Sequence, residues 1–135
     1  MIELLVHYDD NHNKATANPS EPEIISAINS LDGIDILMVM LSSLEGYMFV
    51  HSSIEKRMHV SYSRNNEFAY LVEKNELKNQ ILKFPLGNGD IDEWSMHETV
   101  SPEIALKIAL YFFRNQAFPK GLDWEGRTQY LPIIS

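Results

Sequence analysis

The chain has no cysteine among its 135 residues. That excludes a disulfide framework, a thiolate metal site and a cysteine nucleophile, and it fits a reducing compartment. Basic charge is scarce: 11 Lys and Arg stand against 19 Asp and Glu, for a formal net charge of -8. Phosphate backbones and anionic membranes both need a basic face, so neither nucleic acid nor membrane is an expected partner. A basic protein partner suits the sign of the charge. Long apolar runs are also missing. Ile36 to Leu41 falls far short of the ~20 residues that span a bilayer. Near the start, Glu3 interrupts a short apolar run and Asp9 and Asp10 follow it, which is not the pattern of a secretory signal. The expected location is the cytoplasm.

What is present suits one folded domain over residues 1–135. Hydrophobic residues make up 44% and charged residues 22%, as in ordinary globular domains. The length supports one core without covalent staples. Residues 2–8 read as a strand and 9–20 as a polar loop. Ser20 and Glu23 have capping-box spacing, with Ile24, Ile28 and Leu31 following at helical intervals. This predicts a helix over 21–31, with Gly33 in the left-handed position after it. The apolar run 36–41 predicts a central strand covered on both faces. Strands follow at 47–51, 58–62, 68–72, 81–84 and 92–97, with turns at Glu45-Gly46, Asn65-Asn66 and 87–90. Pro85 ends its strand or marks an edge. Ser101, Pro102 and Glu103 open a second helix, whose apolar face is Ile104, Ile108, Tyr111 and Phe112. Leu122 to Glu125 reads as a short edge strand. The element order predicts an α+β fold: a mainly antiparallel sheet of about six or seven strands with two helices packed on one side.

Catalytic and metal signatures are sparse. The five histidines (His7, His12, His51, His59, His97) have no HxxxH spacing, although His51 and His59 are placed to meet across strands. Residues 87–90 form a turn without a phosphate-loop pattern, and no GxSxG elbow occurs. No metal and no cofactor are expected. Carboxylate pairs recur at Asp9-Asp10, Asp92-Glu93 and Asp123 with Glu125; Trp94 directly follows Asp92-Glu93, and Trp124 lies between Asp123 and Glu125. An aromatic flanked by carboxylates is suited to anchoring on a basic partner, or to a place in the core with its neighbours outward. Residues 1–45 hold eight acids and one base, so most of the net charge lies in the first third.

The C-terminal half carries a set of features in a particular order. They are Gly87-Asn88-Gly89, Trp94, Val100-Ser101-Pro102-Glu103, Tyr111-Phe112-Phe113, Pro119 and Leu122-Asp123-Trp124. Over residues 66–125 the chain resembles immunity protein family one of bacterial polymorphic toxin and contact-dependent inhibition systems. The N-terminal half matches only in its order of elements. A departure is Gln116-Ala117, where that family often has a glycine. The resemblance implies a non-enzymatic inhibitor that binds a cognate toxin C-terminal domain, such as a nuclease or deaminase, and occludes its active site.

The expected function is therefore toxin neutralisation by a monomer. The expected partner-binding residues are Asp9, Asp10, Glu45, Asp90, Asp92, Glu93 and Trp94, with carboxylates docking on the basic groups of the toxin. Two alternatives stand beside it. One is a small acid/base hydrolase using a carboxylate pair and a histidine such as His97. Its sign would be a polar pocket holding a carboxylate with a strongly raised pKa. The other is a homo-oligomeric adaptor, whose sign would be a large exposed apolar patch.

Overall fold

The strand segments assemble because their apolar residues alternate. A computed structural model of the chain describes residues 2–44, 46–64, 67–72, 80–119, 121–122 and 124–127. The elements are β1 (Glu3–Tyr8), β2 (Asn13–Ala17), α1 (Glu21–Ser30), β3 (Ile36–Ser43), β4 (Gly46–Ser52), β5 (Met58–Arg64) and β6 (Glu67–Leu71). After them come β7 (Ile81–Gly87), β8 (Asp90–Ser95), a 3-10 turn (Met96–Glu98), α2 (Pro102–Asn115) and β9 (Trp124–Arg127). Seven strands form one antiparallel sheet in the order β2-β1-β3-β4-β5-β6-β9, and β7-β8 is a separate antiparallel hairpin. The fold is α+β, with both helices on one face of the sheet.

Register determines which side chains share that face. Leu4, Val6, Val39, Leu41, Met48, Val50, Met58, Val60 and Leu71 project from one side and are buried. They pack against Ile24, Ala27 and Ile28 of α1 and Ala105, Ile108, Ala109 and Phe112 of α2. Phe112 is completely buried and stacks on Phe118, which in turn stacks on Tyr62. The helices are joined by Arg114, whose Nε and Nη2 donate to the two oxygens of Glu21 at 3.0 and 2.5 Å. Among the described residues no helix is long and apolar enough to cross a membrane.

Local chemistry defines the helix ends. The side chain of Ser20 accepts from the Glu23 N–H and the Glu23 carboxylate accepts from the Ser20 N–H, the predicted capping box. Ser101 caps α2, accepting from the Ile104 N–H. At the other end of α2, Gln116 takes the left-handed conformation usual for glycine (φ 50°, ψ 37°).

Several local expectations are corrected. Residues 13–17, read as loop, form the edge strand β2. Its side chains are largely exposed, so no apolar alternation announces it, and backbone pairing with β1 holds it. Helix α1 ends at Ser30 with Leu31 in an extended cap. Gly33 (φ 71°) instead serves the following turn, where a Cβ would lie 2.4 Å from the Ser53 backbone. Pro85 does not end β7 but does lie on an edge strand, as the other expectation had it: among the described residues β7 pairs with β8 alone and continues to Gly87, with a register shift between Pro85 and Gly87. The strand around Trp94 is Asp90–Ser95, and residues 96–98 turn into a 3-10 helix. The last strand is Trp124–Arg127 rather than 122–125. The predicted Asn65-Asn66 turn, Glu45 and Asp123 lie outside the described residues.

Because Phe112 is the fully buried link between α2 and the aromatic stack, Phe112→Ala is expected to lower unfolding free energy by about 3–5 kcal/mol in urea denaturation. Ser20→Ala should cost only about 1 kcal/mol, since it removes one cap. A Phe112→Ala loss below that of Ser20→Ala would show that α2 does not hold the core.

Candidate functional site

The opposite face of the sheet carries a different set of residues. Tyr47, Phe49 and His51 alternate along β4, His59, Ser61 and Ser63 along β5, and Phe68 and Tyr70 along β6. His51 and His59 are directly opposed across β4 and β5. The β7-β8 hairpin lies against this face and places Leu82 and Phe84, both buried, beneath it. Across the hairpin, Leu82 opposes Trp94 and Phe84 opposes Asp92.

His59 is the seat of the hairpin. Only 2% of it is exposed. Its ring stacks on Trp94 at 3.8 Å and 16°, with Tyr70 at 5.4 Å and the edge of Phe84 at 6.1 Å. Its Nδ1 donates to the Glu98 carbonyl at 3.0 Å, which sets the ring's rotation. A second tie holds the other end of the hairpin. His7 Nε2 donates to the Leu86 carbonyl at 3.2 Å, and Gly87 (φ 94°) approaches so closely that a Cβ there would lie 2.6 Å from Asn11 Oδ1. The segment after β8 is anchored as well. Val100 bridges to Met58 through paired backbone bonds of 2.7 and 2.9 Å, and Arg57 donates to the Thr99 hydroxyl and carbonyl.

The hairpin covers only part of the face. A cleft of about 510 Å³ remains, lined by Phe49, His51, His59, Ser61, Phe68, Asp92, Glu93, Trp94 and Glu98. Three carboxylates, three aromatic rings and two imidazoles meet there, and no lysine or arginine is among these lining residues. Asp92 and Glu93 are exposed on the rim, while Trp94 and Glu98 are half-buried. Burial tends to raise the Glu98 carboxyl. Hydrogen bonds from the Ser95 N–H (2.9 Å), the Ser95 hydroxyl (2.9 Å) and the Tyr70 phenol (3.0 Å) outweigh it and hold Glu98 below its ordinary value. Packing around His51, with His7 nearby, pushes its imidazole down to about 4.

The predicted partner-binding residues divide between two places. Asp92, Glu93 and Trp94 line the cleft. Asp90 opens β8 beside the turn of the same hairpin, whose tip His7 and Asn11 bring against the β1-β2 turn that carries Asp9 and Asp10. Asp9 and Asp10 line a separate hollow with Tyr8, His12 and Asp35, where Asp10 pairs with His12. Glu45 lies outside the described residues. Many acids of the first third are engaged locally. Glu23 accepts from Ser20, Glu21 binds Arg114, and Asp32 Oδ1 accepts from the N–H groups of Ile34, Asp35 and Ile36. Sequence reasoning missed Phe49, Phe68, His51, His59 and Glu98 as one site. Phe49, His51, His59 and Phe68 share a strand face, but Asp92, Glu93 and Trp94 come from a hairpin 24 to 45 positions later and Glu98 from the 3-10 turn after it.

Ser95, His97 and Glu98 also bear on the hydrolase alternative. The Ser95 hydroxyl donates to Glu98 Oε1, and His97 Nδ1 meets the same serine oxygen at 2.8 Å. In a catalytic triad the acid orients the histidine. Here the carboxylate holds the serine itself, in the manner of a turn cap.

His51 makes acid stability testable. In the unfolded chain it titrates near 6.5, in the native state at about 4. The unfolded state therefore binds the extra proton first. The stabilisation is complete above pH 6.5 and falls as pH drops towards about 4, by at most ~1.4 kcal/mol per pH unit. Urea midpoints measured across this window should fall for the native chain and fall less for His51→Phe. Equal slopes would remove His51 as the cause.

Comparison with known proteins finds no family model that matches the chain and no curated protein that matches it. What the cleft can do follows from its own residues.

Proposed function

We propose that the protein is a toxin-neutralising immunity protein, a non-catalytic binder that docks on a basic toxin domain and occludes its active site. The observation that carries this reading is the cleft between the β7-β8 hairpin and the open sheet face, with aromatic rings inside and Asp92 and Glu93 exposed at its rim. Such a surface matches what a basic partner needs. Aromatic groups supply desolvated contact area, and surrounding carboxylates supply complementarity and steering. The Asp9-Asp10 turn, held next to the hairpin tip, extends the acidic ground away from the cleft. Fast capture suits the role, because free toxin acts on the cell that holds it.

The hydrolase reading has less support. It calls for a carboxyl group kept protonated, whereas Glu98, the half-buried carboxylate of the cleft, is held ionised by Ser95 and Tyr70. The serine beside His97 is tied to that carboxylate rather than activated by the histidine.

The test is calorimetry against the C-terminal domain of the large secreted protein encoded beside this gene, at two salt concentrations. The expected result is nanomolar 1:1 binding that weakens as salt rises. Asp92→Lys with Glu93→Lys should slow association by about tenfold or more, and Asp9→Lys with Asp10→Lys should slow it less. A folded protein that binds no such domain overturns the immunity reading. Unchanged affinity and on-rate after both charge reversals overturn the acidic interface.

A further inference from the structure

The geometry points to a single arginine side chain of the partner as the group that fills the cleft, its guanidinium lying among Phe49, Phe68 and Trp94 and bonding to Glu98 and the rim carboxylates. The identity of the partner as a toxin domain rests on the function proposed above. The chemistry of the occupant rests on the cleft.

Three observations select a guanidinium. The first is the combination of walls. Aromatic faces and carboxylates in one concavity suit a cation that is planar and weakly hydrated, able to stack on rings while its edge forms paired hydrogen bonds. An ammonium is compact and strongly hydrated, and it lacks the fork. The second is a donor that Glu98 shares with another carboxylate, beside the Ser95 N–H and hydroxyl that it keeps. The Tyr70 hydroxyl lies 3.0 Å from Glu98 Oε2 and 3.1 Å from Glu125 Oε1. A phenol has one proton, so it donates to only one of these two carboxylates at a time. A guanidinium brings five N–H donors. The third is a neutral imidazole in the wall, since His51 stays uncharged down to about pH 4. A metal ion is a poorer fit, because among the described residues no three histidine or carboxylate side chains converge as ligands. A volume of about 510 Å³ holds one long side chain and its waters.

The site is also supported against collapse. Trp94 is braced by the His59 stack and by Tyr70 at 4.9 Å. Glu98 is positioned by the N–H and hydroxyl of Ser95. Prepositioned groups lose little freedom on binding, which favours affinity for a single anchoring residue.

The experiment has two arms. In the first, an acetylated, amidated tri-arginine peptide is titrated into the labelled protein and followed by NMR. The tri-citrulline peptide, a neutral isostere, and tri-lysine serve as comparisons. Saturable shifts of the Trp94 indole N–H and the Phe49 and Phe68 amides are expected with tri-arginine, about tenfold weaker with tri-lysine and absent with tri-citrulline. Glu98→Gln should abolish them. The exposed pair Asp92→Asn with Glu93→Gln, which disturbs no buried contact, should weaken them severalfold. Glu103→Gln on α2 matches the loss of charge away from the cleft and should leave them unchanged. In the second arm the same variants are tested for binding to the neighbouring toxin domain. Loss of about tenfold or more in affinity for both cleft variants supports the inference. Equal response to arginine and citrulline peptides, shifts centred elsewhere, or no saturable response overturns it. Toxin binding that ignores the cleft variants overturns it too and leaves the immunity reading intact. Arginine binding in the cleft without toxin binding overturns the immunity reading and leaves the site.

Discussion

A seven-stranded sheet has two faces, and among the described residues two helices cover only one of them. Burial of the other face depends on His59 stacked against Trp94. That contact joins the middle of the sheet to a hairpin that shares no hydrogen-bond ladder with it. Around it, Phe84 and Tyr70 complete an aromatic enclosure, and the Glu98 carbonyl fixes the imidazole. Stacked and edge-on ring pairs each add about 0.5–1.5 kcal/mol beyond burial. The larger consequence is geometric, because the stack fixes where the hairpin sits.

The cleft exists because that cover is incomplete. The hairpin spans the end of the face near His7 and His59 and leaves Phe49, Phe68 and Ser61 beside an opening. Asp92 and Glu93 follow from the strand register, which opposes Asp92 to Phe84 and Glu93 to Lys83. Glu98 enters from the 3-10 turn that leads out of the hairpin, and Ser95 and Tyr70 hold it charged there. Structure and charge thus arise from the same connection. The chain that closes the sheet also carries the acids of its rim.

The acidic character of the chain has more than one use. In the first third, carboxylates mostly cap helices, close turns or pair with Arg114 and His12. These roles explain why the most acidic stretch of sequence is not the cleft. The carboxylates that face outward around the cleft come from β8, where no basic side chain among the described residues forms an ion pair with Asp92 or Glu93.

The sequence by itself determined the element types wherever a local rule was strong. Capping at Ser20 and Ser101 marked the helices α1 and α2, a continuous apolar run marked β3, and alternation marked β5. The α+β class followed from their order. It also put Trp94, Asp92 and Glu93 forward, since an aromatic beside a carboxylate pair is visible without a fold. Edge strand β2 escaped because backbone pairing, not side-chain burial, makes it a strand. Gly33 is left-handed as its place after the helix suggests, but the close approach that also demands glycine there involves Ser53, twenty residues away. Only the tertiary structure decided that His51, His59, Phe49, Phe68 and Glu98 share one cleft with the β8 residues. Each of them looks ordinary in its own segment. Their chemistry comes from a face left half-covered, and how far a hairpin covers a sheet depends on long-range packing that no local pattern encodes.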